Sequence, residues 1–328
     1  MKIRNIRWNL MALGAFAALM STSAHAVWTF GGYTNGQVVT PTNVVATTPY
    51  DPVNGTDPTV SLSGVTATNT SNVVSGTWSS ASLISWGTSG LGMQQTGETV
   101  NGGVPNHAID NFGKTEAVLL NFSSSVILSS IGLGWTSDGT CSGTGGTNVA
   151  VNASTNQCPT NTSLNTNRAI DLSVFRWVGT GTPPDLVGKS ATANSGWELV
   201  GNYGDVAQDN TADYTKVNTG VKGTTSTSNG VITGTGGSGA AGAGAKGSSW
   251  WLISAYNSGF AQGTTTENRG TLDNGNDYFK LFAVAGITCV KGQDCGPSRV
   301  SEPASLALAS VALLGVAGLR RRKAKTAI

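Results

Sequence analysis

His107, Asp110, Asn111 and Glu116 fall within ten positions and include the one histidine outside the first 26 residues. The run Pro105-Asn106-His107-Ala108-Ile109-Asp110-Asn111 puts an imidazole, a carboxylate and an amide beside a proline turn. The sequence has two histidines, and the other, His25, lies among the first 26 residues. A Ser-His-Asp relay would therefore have to use His107, and no G-x-S-x-G elbow accompanies it. Asp110 and Glu116 are the residue types that glycosidases use in pairs about 5 Å or more apart, but spacing in sequence does not set that distance. The plainer reading is a tight loop whose His107 and Asp110 bond to backbone. Ligand contact through His107, Asp110, Asn111 and Glu116 comes second, and catalysis third.

Asp273-Asn274-Gly275-Asn276-Asp277 offers hard oxygen donors on a turn, the chemistry calcium prefers. It lacks the twelve-residue loop and closing glutamate of an EF-hand, and an ordinary Asn-Gly turn explains it as well. Asp273 and Asp277 are thus candidate calcium ligands, and no other cofactor is expected. Two glycine runs, Gly234-x-Gly236-x-x-Gly239 and Gly242-x-Gly244-x-x-Gly247, match a dinucleotide fingerprint in letters only. Neither opens a helix of a βαβ unit. Trp78, Trp86, Trp135, Trp177, Trp197, Trp250 and Trp251 are candidates for a sugar-stacking platform. Most sit in strand patterns and are expected in the core.

The four cysteines permit three connectivities. Local pairing, Cys141 with Cys158 and Cys289 with Cys295, is favoured over a metal site. The spacings are not those of a zinc cluster, and histidine is almost absent.

The elements that carry these residues lie between two targeting ends. Lys2, Arg4 and Arg7 precede the apolar stretch 10–20, and Ala24-His25-Ala26 has the small-x-small form of a cleavage site. Residues 1–26 read as a signal peptide for the Sec translocon and signal peptidase, leaving a chain that begins at Val27. At the other end 297–303 is a spacer, and 304–319 is uncharged, apolar and free of proline. As a transmembrane helix it would measure about 24 Å, against about 30 Å for a hydrocarbon core, a gap that bilayer thinning and snorkelling arginines close. Arg320, Arg321, Arg322 and Lys323 open the basic tail 320–328, which by the positive-inside rule stays cytoplasmic.

Ser301-Glu302-Pro303, a short apolar helix and an arginine-rich end together resemble the PEP-CTERM sorting signal of Gram-negative bacteria. That resemblance implies recognition by exosortase, a membrane-embedded cysteine peptidase that removes the helix. The family most often has proline where Ser301 stands, which leaves the cut position open. The runs 85–92, 104–111, 195–197, 201–203, 251–257 and 275–281, with Glu116, resemble a family of exosortase-dependent surface proteins. That resemblance implies a fold and a location without an activity. Transient residence in the inner membrane, then the cell surface or medium, follows from it, with extracellular polysaccharide as the expected partner.

The charge balance changes once the ends are set aside. The chain is +2 overall, but three of its 19 basic residues are in the signal peptide and five in the tail. The remaining 11 face 17 acidic residues, a net of −6. No clustered basic surface is expected, so no nucleic-acid partner is.

The body, 27–296, is rich in Gly, Ser, Thr and Asn and shows no amphipathic helical period. Short β-branched and aromatic runs between turn residues predict an all-β, antiparallel β-sandwich of jelly-roll type with glycine-rich loops. Strands are expected at 27–30, 60–74, 83–86, 169–178, 196–203, 249–256 and 277–287. A further pair, 117–122 and 126–135, is expected to be joined by a turn at 123–125. The stretch 87–99 reads as a loop. In 169–178, Ile170, Leu172 and Val174 face one way and Asp171 and Ser173 the other. In 196–203, Trp197, Leu199 and Tyr203 are expected on one side. The strands 249–256 and 277–287 are apolar on both faces, so central. The segment 139–167 reads as a polar excursion pinned by cysteines. The segment 218–248 has too little apolar surface to offset its ordering entropy and reads as a mobile loop.

Overall fold

A computed structural model describes residues 26–39, 58–70, 73–94, 107–143, 145–152, 157–178, 186–191, 196–208, 214–217, 246–260 and 267–288. All lie within one compact unit, His25–Pro297. The signal peptide before Ala26, the segment 218–245, Cys289, Cys295, the sorting motif Ser301-Glu302-Pro303, the apolar segment 304–319 and the basic tail fall outside the described residues. Among the described residues no helix is long and apolar enough to cross a membrane.

The body is all-β, with sixteen strands and a single short 3-10 turn among the described residues. The strands are β1 (Ala26–Thr29), β2 (Val38–Val39), β3 (Val60–Thr70), β4 (Val73–Ser85), β5 (Leu91–Gln94), β6 (Ile109–Asp110), β7 (Lys114–Ser137) and β8 (Thr140–Ser142). They continue with β9 (Asn148–Ala150), β10 (Ser163–Leu164), β11 (Ile170–Trp177), β12 (Trp197–Val206), β13 (Thr215–Lys216), β14 (Ser248–Ala255), β15 (Glu267–Arg269) and β16 (Tyr278–Thr288). Thirteen strands join one sheet: ten follow the path β1-β16-β5-β4-β3-β7-β14-β11-β12-β15, and β2, β6 and β13 pair off it with β4, β16 and β7. Its pairings are antiparallel except β12 with β15.

β7 organises this sheet. Its first half pairs with β3 and β14, and its second half pairs with β16. Because β16 also meets β5, the pairings β16-β5-β4-β3-β7 close on themselves, and the sheet turns back in a sandwich-like fold. The expected turn at 123–125 does not form. Three serines supply no glycine or asparagine for a tight hairpin, and the chain stays extended. Ser123 is instead fastened to the start of β3: its N–H donates to the Thr59 carbonyl (2.9 Å), and its Oγ accepts the Thr59 N–H (3.0 Å).

The main core fills the fold from both halves of β7. Trp28, Phe30, Leu62, Leu120, Phe122, Leu133, Trp251, Ile253, Phe279 and Leu281 are all buried in it. β11 alternates as read, with Ile170, Leu172 and Val174 in this core. β14 and β16 are central strands, paired on both edges. A second cluster on the other side of the sheet holds Trp78, Phe175, Leu186, Trp197, Leu199, Leu252 and Phe260.

Three further expectations are corrected. The single strand at 60–74 is β3 plus the start of β4. The stretch 87–99 is not all loop, since Gly87–Ser89 is a 3-10 turn and Leu91–Gln94 is β5. Trp197 and Leu199 belong to the outer cluster but Tyr203 to the main core. The register of β12 explains this. Gly201 opposes Val174 and Leu199 opposes Phe175, so Val200 is an extra residue that reverses the alternation.

The polar excursion forms its own small sheet, β10-β8-β9, and Cys141 is bonded to Cys158 across it. The local pairing thus stands for the first two cysteines. Seventeen residues of separation make this link worth about 3 kcal/mol in the chain-entropy model. Because its strands pair only with one another among the described residues, reduction should loosen the excursion and spare the main sheet. Hydrogen exchange should rise in 140–165 under reductant and stay unchanged in β7 and β14. Exchange rising equally in β14 would show the link to be global.

Candidate functional site

The 107–116 loop does not act as one constellation. The His107 ring lies 5.5 Å from the Trp86 ring, nearly parallel to it at 25°. His107 is buried and has φ 66°, a left-handed conformation uncommon for a non-glycine residue. Asp110, Asn111 and Glu116, also buried, go elsewhere. The Glu116 carboxylate accepts the Asp110 backbone N–H (3.2 Å), and Asp110 Oδ1 accepts the Phe112 N–H (2.9 Å). Both carboxylates, Asp110 at the end of β6 and Glu116 near the start of β7, thus bond to nearby backbone.

Asn111 is the hub. Its Nδ2 donates to the carbonyls of Tyr256 (2.9 Å) and Gly275 (3.0 Å) and to Asp277 Oδ2 (3.2 Å). Its Oδ1 accepts the Asp277 backbone N–H (2.9 Å). Asp277 in turn accepts the Asp171 N–H (2.7 Å). The Asp171 carboxylate accepts N–H groups from Asp205 (3.0 Å) and Asp273 (2.8 Å). One polar chain therefore ties the loop after β6 to the end of β14, the turn before β16, the start of β11 and the end of β12. Two more asparagines extend it. Asn69 donates to the Asn111 carbonyl, and Asn257 accepts the Val74 N–H (2.7 Å) while donating to Thr115 Oγ1 (2.7 Å).

Burial dominates the electrostatics here. It holds Asp277 well above the usual carboxylate range, and the neighbouring Asp171 charge adds to the effect. Asp171 is pushed up to about 6, chiefly by burial, with Asp273 and Asp205 adding and their backbone N–H bonds opposing. The Tyr278 phenol is raised by burial and by Asp110 and Asp277.

Asp273 and Asp277, the candidate calcium ligands, are near enough for the Asp273 charge to help raise Asp277, and each accepts hydrogen bonds of its own. Asp277 is committed to Asn111 and Asp171, and Asp273 Oδ1 accepts the Gly275 N–H (2.6 Å). Among the described residues no group of three or more His, Cys, Asp or Glu is placed to hold a metal ion.

The candidate tryptophans divide. Trp78, Trp197 and Trp251 are core, whereas Trp86, Trp135, Trp177 and Trp250 are half-buried. Trp177 and Trp197 meet edge to face at 5.7 Å. Trp86 and Trp135 share a partner absent from the sequence reading, Lys280. Its Nζ sits 4.2 Å from the Trp86 ring centre and 4.9 Å from that of Trp135, which opposes it across β7 and β16. Burial lowers Lys280 to about 8. The signal was a lone charge in Tyr278-Phe279-Lys280-Leu281-Phe282, a strand otherwise apolar on both faces.

No protein-family model, curated protein or solved structure matches this chain.

Proposed function

We propose that this is an exported, non-catalytic surface or extracellular-matrix protein of a Gram-negative bacterium that works among extracellular polysaccharide. The Sec translocon and signal peptidase deliver it. Residues 304–319 hold it in the inner membrane, and exosortase releases it near Ser301-Glu302-Pro303. The finer architecture we assign to the body is a jelly-roll-like sandwich.

The observation that carries the non-catalytic reading is the use of polar groups. Asp110, Asn111, Glu116 and Asp277 each bond backbone inside the body, as fasteners between strands and turns. The tail motif and signal peptide carry the export reading, and a Cys141–Cys158 bond suits an oxidising compartment. Cell fractionation with and without exosortase tests the proposal. With the peptidase, the body should appear at the surface or in the medium without its tail; without it, the full tail should remain in the membrane fraction. An unchanged distribution and mass would overturn the route.

A carbohydrate-binding module is the second reading, favoured by the half-buried Trp86, Trp135, Trp177 and Trp250. A glycan array with no hits would dismiss it. A secreted glycan hydrolase or lyase ranks third and would require Asp110 or Glu116 to act outside the bonds described.

A further inference from the structure

We propose that Lys280, held between Trp86 and Trp135, is a binding subsite for the carboxylate of an acidic sugar, a uronic acid unit of an extracellular polysaccharide. The choice of a sugar acid rests on the proposed polysaccharide setting. The site itself rests on the geometry that follows.

Lys280 is 7% exposed, a degree of burial at which lysine ordinarily has an acidic partner. The ion pairs among the described residues use Arg168 with Asp138, and Arg176 and Lys246 with Glu198. None involves Lys280, whose described contacts are two indole faces. Indole faces attract a cation without neutralising it. A second donor lies close by, because the buried Trp86 Nε1 has no hydrogen-bond partner among the described residues. Two donors without an acceptor at one aromatic site leave room in the chemistry for one anion.

The site is also built rather than incidental. Trp86 leads into the Gly87–Ser89 turn, which is closed by a hydrogen bond from the Gly90 N–H to the Gly87 carbonyl (2.9 Å). Gly90 has φ 91°, and a Cβ there would stand 2.5 Å from the Leu281 carbonyl oxygen, so only glycine lets the turn lie against β16 beside Lys280. The His107 ring backs Trp86. Trp86 and Trp135 remain half-buried, so part of each indole reaches the surface and offers an apolar rim to a sugar ring. A carboxylate on that ring would accept from Lys280 while its C–H face rests on the rim.

The test uses the full processed chain and its tryptophan fluorescence, titrated separately with sodium glucuronate, glucose and sodium acetate. Saturable binding of glucuronate, at least tenfold tighter than glucose or acetate, is expected. Lys280→Met should weaken it about 10- to 100-fold, the scale of one charge-assisted hydrogen bond, whereas Lys280→Arg should stay within a few-fold of wild type. Glucose binding as well as glucuronate would overturn the carboxylate role, and acetate binding as well would overturn the sugar contact. Absence of binding in a chain whose mass shows correct processing would overturn this inference alone and leave the export reading standing.

Discussion

Asn111→Ala should lower the free energy of unfolding by about 3–5 kcal/mol, enough to bring a domain of ordinary stability close to unfolding. The side chain is buried, its two amide N–H groups are shared among three acceptors, and its Oδ1 accepts one N–H. Truncation leaves two carbonyls, one carboxylate oxygen and one N–H without that partner in the interior. Each orphaned group costs about 1–3 kcal/mol, partly relieved if water enters. Urea unfolding is the measurement, with the midpoint shifted and the slope unchanged. Asn257→Ala should behave similarly but less severely, since it removes two accepted N–H bonds and one donated bond. A loss below about 1 kcal/mol for Asn111→Ala would mean that the hub does not hold its turns together.

Stability should fall as pH rises from about 4 to about 6, and rise again from about 8 to about 10. The acid arm comes from Asp171 and Asp277. Their folded values lie above the ordinary carboxylate value, Asp171 at about 6, so the folded chain binds more protons across that window. Stabilisation is complete below the unfolded value and is lost as pH climbs through the folded one. The alkaline arm comes from Lys280. Its folded value of about 8 is below the ordinary one, so the folded chain releases its proton first and gains stability above that pH. Asp171 and Lys280 are each worth on the order of 2 kcal/mol, and Asp277 adds to the acid arm in the same direction. Above about 10 the raised tyrosines, Tyr278 foremost, oppose any further gain. Thermal melts across this range should thus give a minimum near neutrality. Lys280→Met should remove the alkaline rise and leave the acid fall. A profile highest at pH 7 would contradict these placements.

Strand patterns burying one or both faces are legible in the sequence. β11 carries its face assignment in the letters, because burial against a sheet demands period two, and β14 and β16 show their central place by being apolar on both faces. In sequence β7 reads as two strands, because a run of serines looks like a connection. What keeps it extended is pairing with β3 and β16, remote in sequence. Asp171 shows the same limit at the site. Its place opposite Ile170 and Leu172 suggests solvent, yet the 271–277 turn folds over that face and buries it. The 107–111 run announced a tight polar loop, and Asp110 behaves so. That Asn111 would reach Tyr256 and Gly275, more than 140 positions on, was not in its neighbours. Lys280 was legible as an anomaly, and only the fold supplied Trp86 and Trp135 beside it.

Export and trimming come down to one measurement, the intact mass of the protein recovered from the medium or cell surface, with its disulfides mapped. Removal of both ends predicts a chain beginning at Val27, lacking residues 304–328, with Cys141 still bonded to Cys158. A mass matching all 328 residues, in the medium or in the cytosol, would contradict it.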